Sequence, residues 1–375
     1  MTVSLIEETA VSPNFAASDQ GVVASFCAAT QLQDGSLLCV YRTGAGKHTT
    51  DGKFVAQRST DLGKSWGEPV DVFDGSERNP VWVASMPGVV QTSTGKVLAS
   101  LGIVEGLGDK QYMFDPEAME LPIHTVLATS ADSGSSWDDG QRLETGLARS
   151  CPTTKPFQRA DGTICLPLEF LSTHGPSSTA MLFSTDDGDS FGDAVATAED
   201  TSNTLSLCDG HFAQLADGRI LQVLWTFRQE GGETIDLHVS HSTDDGRSWS
   251  EPQATGVAGQ VTCPVGLPDG SVLATSNHRA APQGIRLLRS TDGGLTWPTA
   301  DAIWLWDPAQ EQVVNQPWPD QATTERLMDV WASLDQFSFG TPDLTRLADG
   351  TFLMTFWCQV DGITHIRALR FDVEA

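Results

Sequence analysis

The sequence predicts an all-β protein, a six-bladed β-propeller with four antiparallel strands in each blade. Three observations lead to this prediction: six Asp-Gly-like hairpins, five copies of an octet such as STDDGRSW, and a regular alternation of the two along the chain. The 35 glycines and 19 prolines among 375 residues fall between short apolar runs, which is typical of many short strands joined by turns. A single propeller domain over residues 1–375 accounts for the whole pattern.

The first repeat is a hairpin in which β-prone segments flank Asp-Gly or Thr-Gly, a strong short-range signal for two antiparallel strands. The six copies read, in chain order, TQLQDGSLLCVYR, VVQTSTGKVLASLG, PFQRADGTICLPLEF, FAQLADGRILQVLW, PVGLPDGSVLATSN and LTRLADGTFLMTFW. Their turn residues are Asp34, Thr94, Asp161, Asp217, Asp269 and Asp349. We predict that each hairpin forms the first two strands of one blade.

The second repeat is the octet S-x-D-x-G-x-[S/T]-[W/F], at residues 59–66, 130–137, 184–191, 242–249 and 290–297. Its aspartate is suited to accept backbone N–H groups across its own turn, its glycine to adopt positive φ, and its aromatic residue to pack between sheets. A calcium loop of the EF-hand type is excluded, because no glutamate occupies the twelfth position. The octets are therefore predicted to be structural turns between the third and fourth strands, at the outer rim.

The last blade lacks an octet because its hairpin, which turns at Asp349, lies close to the C-terminus. The C-terminal segment supplies three strands. We predict that the N-terminal segment TVSLIEE supplies the outer strand, which closes the ring and leaves no free edge.

Composition limits the possible partners. A net charge of -27 argues against a nucleic-acid partner, because phosphates would be repelled. No segment approaches the roughly 18 apolar residues of a membrane helix, and the N-terminus shows no signal-peptide pattern. The seven cysteines are an odd number without CxxC or zinc spacing, which favours free thiols in a reducing compartment. We therefore expect a cytoplasmic protein with no membrane partner, no metal and no other cofactor.

The octets resemble the Asp-boxes of the sialidase superfamily, and six blades match that family's fold. The resemblance implies a carbohydrate substrate and an axial site with an arginine triad, a tyrosine nucleophile with a glutamate partner, and an aspartate acid/base. By position, Arg42 matches the arginine after the first hairpin, and Asp51 falls in the loop of the acid/base aspartate. Asp209, eight residues before the fourth turn residue, takes the place of the glutamate partner.

Two positions depart from the family pattern. The segment SFCAATQLQDG has no arginine where the first-blade arginine is expected, and Thr341 stands where the nucleophilic tyrosine is expected. The two tyrosines of the chain, Tyr41 and Tyr112, both lie in its first third. The resemblance therefore predicts a similar pocket with different chemistry.

In a propeller of this kind the site surrounds the axis on one face, at the starts of the innermost strands and the ends of the second strands. Polar residues there are costly to bury without a partner or a role. The predicted catalytic residues are Asp51, Glu169, Asp209 and His211, and the predicted substrate-binding residues are Arg42, His48, Trp82, His174, Arg228, His278 and Arg279. The same positions also include Lys47, Lys155, Arg286, Trp225 and Trp357.

Three functions fit this set. A glycosidase on an anionic or polar sugar would use one carboxyl group as the general acid and another as the second carboxylate, and its arginines would bind the sugar. A lyase on uronate sugars would use arginine to neutralise the carboxylate and histidine to remove the α-proton. A propeller without catalysis would bind a glycan or a protein. A divalent metal held by the histidines is a further option, without recognisable ligand spacing.

Overall fold

The computed structural model describes residues 1–12, 22–76, 82–108, 120–170, 176–311 and 337–374, with the backbone alone for residues 82–85. These residues form six small antiparallel sheets, so the predicted all-β, six-bladed propeller is confirmed. In the described part of the chain, helical structure is limited to two 3-10 turns, Thr299–Asp301 and Pro308–Gln310. No helix in these ranges is long and apolar enough to cross a membrane.

The strands of each blade follow one another from the axis to the rim. Blade one contains β2 (Val23–Gln31), β3 (Leu37–Gly44), β4 (Lys53–Ser59) and β5 (Val70–Asp74). Blade two contains β6 (Trp82–Gln91), β7 (Val97–Glu105), β8 (Ile123–Ser130) and β9 (Gln141–Arg142). In blade three the innermost strand is split into β10 (Ser150–Cys151) and β11 (Phe157–Gln158), followed by β12 (Ile164–Phe170), β13 (Ser178–Ser184) and β14 (Val195–Ala198).

The other three blades repeat this order. Blade four contains β15 (Leu205–Gln214), β16 (Ile220–Arg228), β17 (His238–Ser242) and β18 (Gln253–Ala254). Blade five contains β19 (Thr262–Gly266), β20 (Val272–His278), β21 (Gly284–Ser290) and β22 (Ile303–Trp306). Blade six contains β23 (Phe339–Arg346), β24 (Phe352–Val360), β25 (Ile363–Glu374) and, as its outer strand, β1 (Thr2–Ala10).

The N-terminal strand closes the ring as predicted. β1 pairs antiparallel with β25, from Thr2 opposite Glu374 to Ala10 opposite Arg367. On the inner side, β23 of blade six contacts β2 of blade one. The hydrophobic core lies between neighbouring blades; Leu38 and Val40 of blade one, for example, share a buried cluster with Val89 and Leu101 of blade two. The second strands are buried on both faces because a blade packs on each side of them.

The octets form the predicted turns between third and fourth strands. In STDDGRSW, the Asp244 carboxylate accepts the Ser248 backbone N–H at 2.8 Å and the Ser248 hydroxyl at 2.6 Å. These hydrogen bonds lower the pKa of Asp244 to about 2. Trp249 donates its indole N–H to the Gly246 carbonyl at 3.0 Å, and Gly246 has a φ of 87°. The octet is therefore a self-contained turn at the rim.

Bulges in the innermost strands aim side chains at the axis. The register shifts in β2, β15 and β23 contain Phe26, Asp209 and Thr341, whose φ values are 49°, 46° and 45°. Each of these residues lies eight positions before the turn residue of its own hairpin. A bulge inserts one residue and redirects its side chain, and positive φ outside glycine is often found at functional sites. This repeated backbone feature marks the face that carries the candidate site.

Candidate active site

A small, partly open cavity lies at the axis. Its walls come from blades one, two, three, four and six, and are formed by Phe26, Cys27, Ala28, Met86, Pro87, Thr153, Thr154, Lys155, His211, Thr341 and Asp343. Phe26, Met86, Thr153 and Thr341 are each eight residues before the turn residue of their hairpin, so the innermost strands present the same position to the cavity.

Two carboxyl groups lie together on β12 and β15, and β15 also carries His211 of the cavity wall. Glu169, near the end of β12, is 3% exposed, and its Oε2 accepts the backbone N–H of Asp209 at 2.8 Å. Burial, and next the negative charge of Asp209, raise the pKa of Glu169 to about 8. Burial also raises the pKa of Asp209, to about 6, while the positive charge of Arg279 opposes this rise. The two carboxyl groups therefore titrate as an interacting pair, with the larger rise in pKa on Glu169.

Arg279, which follows β20, supports this arrangement from blade five. It is 4% exposed and donates to the Phe339 carbonyl at 2.7 and 3.2 Å and to Gln260 Oε1 at 2.5 Å. Its guanidinium carbon lies 4.1 Å from the ring centre of Phe337. A Cβ at Gly340 would lie 2.5 Å from Arg279 Nη2, so a glycine is needed for this close approach. Burial lowers the pKa of Arg279 to about 9, and Asp209 opposes that shift.

His211 faces the cavity from β15, two residues after Asp209. It is 5% exposed, and neither ring nitrogen has a hydrogen-bond partner among the described residues. Burial, followed by the positive charge of Lys155, lowers the pKa of His211 to about 3. The imidazole is therefore neutral at physiological pH, with one donor and one acceptor nitrogen directed at the cavity.

Arg42 lies near the end of β3, and His48 and Asp51 lie in the loop that follows it. Arg42 is fully buried and donates to the Gly46 and Thr49 carbonyls, which fastens the loop to the blade. Asp51 accepts the Ala45 backbone N–H at 2.9 Å. The 5%-exposed ring of His48 packs 5.2 Å from the Phe26 ring centre; burial, then Arg42 and Lys47, hold its pKa well below the ordinary value.

A lysine from blade three crosses the axis to blade six. Lys155 Nζ lies 3.0 Å from Asp343 Oδ2 and also donates to the Ala29 and Leu344 carbonyls, at 3.1 and 3.0 Å. Asp343 further accepts the Ala29 backbone N–H at 2.9 Å. This ion pair joins blades one, three and six, and it forms part of the cavity wall.

The remaining predicted residues lie apart from the carboxyl pair or outside the described part. Arg228 is exposed and lies 3.7 Å from Glu233, and His278 shares a hydrogen bond with the Pro282 carbonyl at 2.8 Å. His174 and the side chain of Trp82 lie outside the described residues. The structure brings Glu169, Asp209, His211 and Arg279 to one region. The catalytic and substrate-binding roles of the predicted residues stay predictions.

Sequence reasoning missed two members of this region, Phe26 and Asp343. A signal for both was present. Phe26 is eight residues before its turn residue, as Asp209 is, and Asp343 is six residues before its own, as His211 and Lys155 are. Aligning the six hairpins on their turn residues identifies both positions.

In the described ranges no group of three or more His, Cys, Asp or Glu side chains is arranged to hold a metal ion. The seven cysteines are all free and buried. The described side chains at the axis offer carboxyl groups, an imidazole, hydroxyls and buried cations.

Comparison with known proteins agrees with this architecture. Residues 35–354 match the model of the BNR repeat-like domain, so the chain belongs to this family, and the resemblance to the sialidase superfamily is confirmed. A sialidase from Micromonospora viridifaciens is 26% identical over 306 residues, which cover 73% of this chain and 45% of the relative. The chain thus spans less than half the length of that relative.

Three solved structures show the same fold. A protein of unknown function from Dyadobacter fermentans superposes with a TM-score of 0.74 at 18% identity, covering 99% of both chains. A Hadza microbial sialidase gives 0.69 at 17% identity, covering 97% of this chain and 68% of its own. The α-L-arabinanase of Penicillium chrysogenum, complexed with arabinobiose, gives 0.64 at 14% identity, covering 98% of both. At these identities the likeness shows the fold alone.

Proposed function

We propose that the protein is a glycoside hydrolase in which Glu169 is the general acid and Asp209 the second carboxylate. The single observation that carries this proposal is the buried pair itself, with Glu169 accepting the Asp209 N–H and the two pKa values raised to different extents. Glycosidases need one protonated and one ionised carboxyl group at the scissile bond, in environments that separate their pKa values.

The proposed division of labour follows from the two environments. Glu169, kept protonated by burial, gives its proton to the departing glycosidic oxygen as the C–O bond breaks. Asp209, kept ionised beside Arg279, stabilises the positive charge that develops at the anomeric carbon. Water then adds its hydroxyl group to that carbon and gives its proton to Glu169, which restores the acid. The sialidase-like propeller and the sialidase relative support a carbohydrate substrate.

The lyase alternative has less support from the same region. A base that removes an α-proton works best with a pKa near the operating pH, whereas burial lowers that of His211 to about 3. Arg279, which would neutralise a uronate carboxylate, donates to Phe339 and Gln260 instead.

Glu169→Gln tests the proposed acid through the leaving group. The variant is expected to lose about 10³-fold in kcat/KM on a methyl glycoside, whose leaving group needs a proton, and about tenfold or less on the 2,4-dinitrophenyl glycoside of the same sugar. Steady-state kinetics on both substrates measure the difference. Glu144→Gln, which removes an exposed carboxylate beside Arg142, is the matched control and should match the parent on both. Equal losses on the two substrates, or no loss, would contradict the role of Glu169.

A further inference from the structure

The cations predicted for the axial face are engaged with protein groups. Arg42 is bound by the loop carbonyls of Gly46 and Thr49, and three hydrogen bonds hold Arg279 to Phe339 and Gln260. Arg228 is exposed beside Glu233. Among the described residues, therefore, these arginines do not converge on one point in the cavity, as binding of a sugar carboxylate would require.

The other cations predicted for the axial face, which are two lysines and Arg286, also bind protein groups. Lys155 is paired with Asp343. Lys47 donates to the Phe337 carbonyl at 2.5 Å and lies 4.4 Å from the ring centre of Trp357. Arg286, on β21 and farther from the axis, donates to the Ala258 carbonyl at 2.7 Å.

An anionic sugar would meet unfavourable electrostatics in this cavity. The Asp209 carboxyl group lies on β15 two residues before His211 of the cavity wall, and Arg279, whose charge acts on it, already donates to other groups. A carboxylate on the sugar would be desolvated next to another negative charge, without a dedicated counter-ion. In the part of the chain that the structure describes, the cavity therefore lacks the converging cations that a sialate or a uronate would need.

Neutral hydrogen-bonding groups, by contrast, do face the cavity without protein partners. His211 offers two ring nitrogens, and the buried Thr341 Oγ1 has no partner among the described residues. Thr341 is held at a φ of 45°, which is unusual for a β-branched residue and directs its side chain at the axis. A neutral imidazole and a hydroxyl can each donate to one sugar hydroxyl and accept from another. The Phe26 ring adds an apolar wall.

We propose that the axial cavity binds a neutral sugar ring, without a carboxylate, whose hydroxyl groups are bound by His211 and Thr341. The proposal rests on the proposed hydrolase function for the identity of the site and narrows its substrate class. It narrows the anionic or polar sugar of the predicted glycosidase to an uncharged one. In the first blade, Phe26 is the bulged residue of the segment in which the family's arginine is expected. In the last blade, Thr341 stands where the family's nucleophilic tyrosine is expected.

Matched sugar pairs test the substrate class on the full chain. Saturation-transfer NMR titrations compare D-glucose with D-glucuronate and D-galactose with D-galacturonate. L-Arabinose and N-acetylneuraminate, which differ in more than charge, are titrated as a further neutral and a further acidic sugar. At least one neutral sugar is expected to bind about tenfold or more tightly than its acidic counterpart. Tighter binding of a uronate or of N-acetylneuraminate would overturn the proposal, and so would the absence of binding by every neutral sugar.

Two variants test the proposed contacts. His211→Met and Thr341→Val are each expected to weaken binding of the preferred neutral sugar about tenfold, because each removes a hydrogen-bonding group at nearly constant volume. The matched controls are His365→Met, a buried histidine on β25, and Thr355→Val, a buried hydroxyl also without a partner in the described ranges. Equal weakening in variants and controls would contradict the assigned contacts.

Turnover on the same sugars separates this proposal from the proposed function. Neutral-sugar binding that depends on His211, without hydrolysis of any glycoside, would refute the hydrolase and leave the neutral subsite in place. Hydrolysis of a sialoside or uronide in preference to the matched neutral glycoside, with dependence on Glu169, would refute the neutral subsite and leave the hydrolase in place.

Discussion

Replacing Asp209 with asparagine is expected to lower kcat/KM by about 10³-fold or more, whatever the leaving group. The amide keeps the shape of the side chain but removes the negative charge that stabilises the developing positive charge on the sugar. Because that charge develops with both good and poor leaving groups, the loss should be similar for the methyl and 2,4-dinitrophenyl glycosides. This uniform loss distinguishes Asp209 from Glu169, for which the loss should depend on the leaving group.

The Asp209→Asn experiment needs a control for folding, because Asp209 lies in a bulge with a φ of 46°. Asparagine tolerates positive φ as well as aspartate does, so the backbone is expected to stay in place. Circular dichroism and the urea midpoint of the variant check this expectation. A folded Asp209→Asn variant that retains more than a tenth of the parent kcat/KM would exclude Asp209 as the second carboxylate.

Lys155→Met is expected to destabilise the protein by about 3 kcal/mol, because it leaves the Asp343 carboxylate buried without its counter-ion. The Asp343 side chain is 6% exposed and that of Lys155 is 22% exposed, so the pair is largely shielded from water. The loss should exceed that of Lys96→Met, because the partner of Lys96 at the rim, Asp189, is 73% exposed. Urea unfolding monitored by tryptophan fluorescence gives both free energies.

A second substitution identifies the cause of that loss. Asp343→Asn keeps an oxygen that accepts the Ala29 N–H but carries no charge. Lys155→Met combined with Asp343→Asn is therefore expected to be more stable than Lys155→Met alone. If the double variant were less stable than both single variants, the loss would come from packing at the axis, and the ion pair would not be its main source.

The fold could be predicted in detail because its signals are local and repeated. The Asp34-Gly35 turn and the octet at 59–66 locate two turns of blade one, and the strand ends beside them, within about 40 residues. A similar spacing recurs in the first five blades, and the sixth hairpin has no octet after it, so the number of blades and the closing role of β1 followed from counting. The octet STDDGRSW proved to be a rim turn with a hydrogen-bonded aspartate, as its composition predicts.

The site could be predicted only in part, because its partners come from distant segments. Placing Asp209 and Glu169 near the axis required only the blade pattern. Lys155 and Asp343 are 188 residues apart, and nothing in either segment indicates the other. Whether the Arg42 guanidinium binds a substrate or the loop carbonyls depends on the conformation of the loop after β3. That loop does not follow the repeat. Local periodicity therefore predicts which residues face the axis, and tertiary contacts decide which of them stay available for a substrate.

A titration of the Glu169 carboxyl group tests the proposed hydrolase most directly. Carbon-13 NMR of protein labelled at the glutamate side-chain carboxyl carbons, recorded across pH 4 to 10, follows each titration separately, and Glu169→Gln assigns the resonance. We expect the Glu169 resonance to titrate with a midpoint near pH 8. In Asp209→Asn the midpoint should fall, because the neighbouring negative charge is removed. A Glu169 carboxyl that titrates near the ordinary value of about 4.3 would contradict the proposed hydrolase, since no proton would be available for the leaving group at neutral pH.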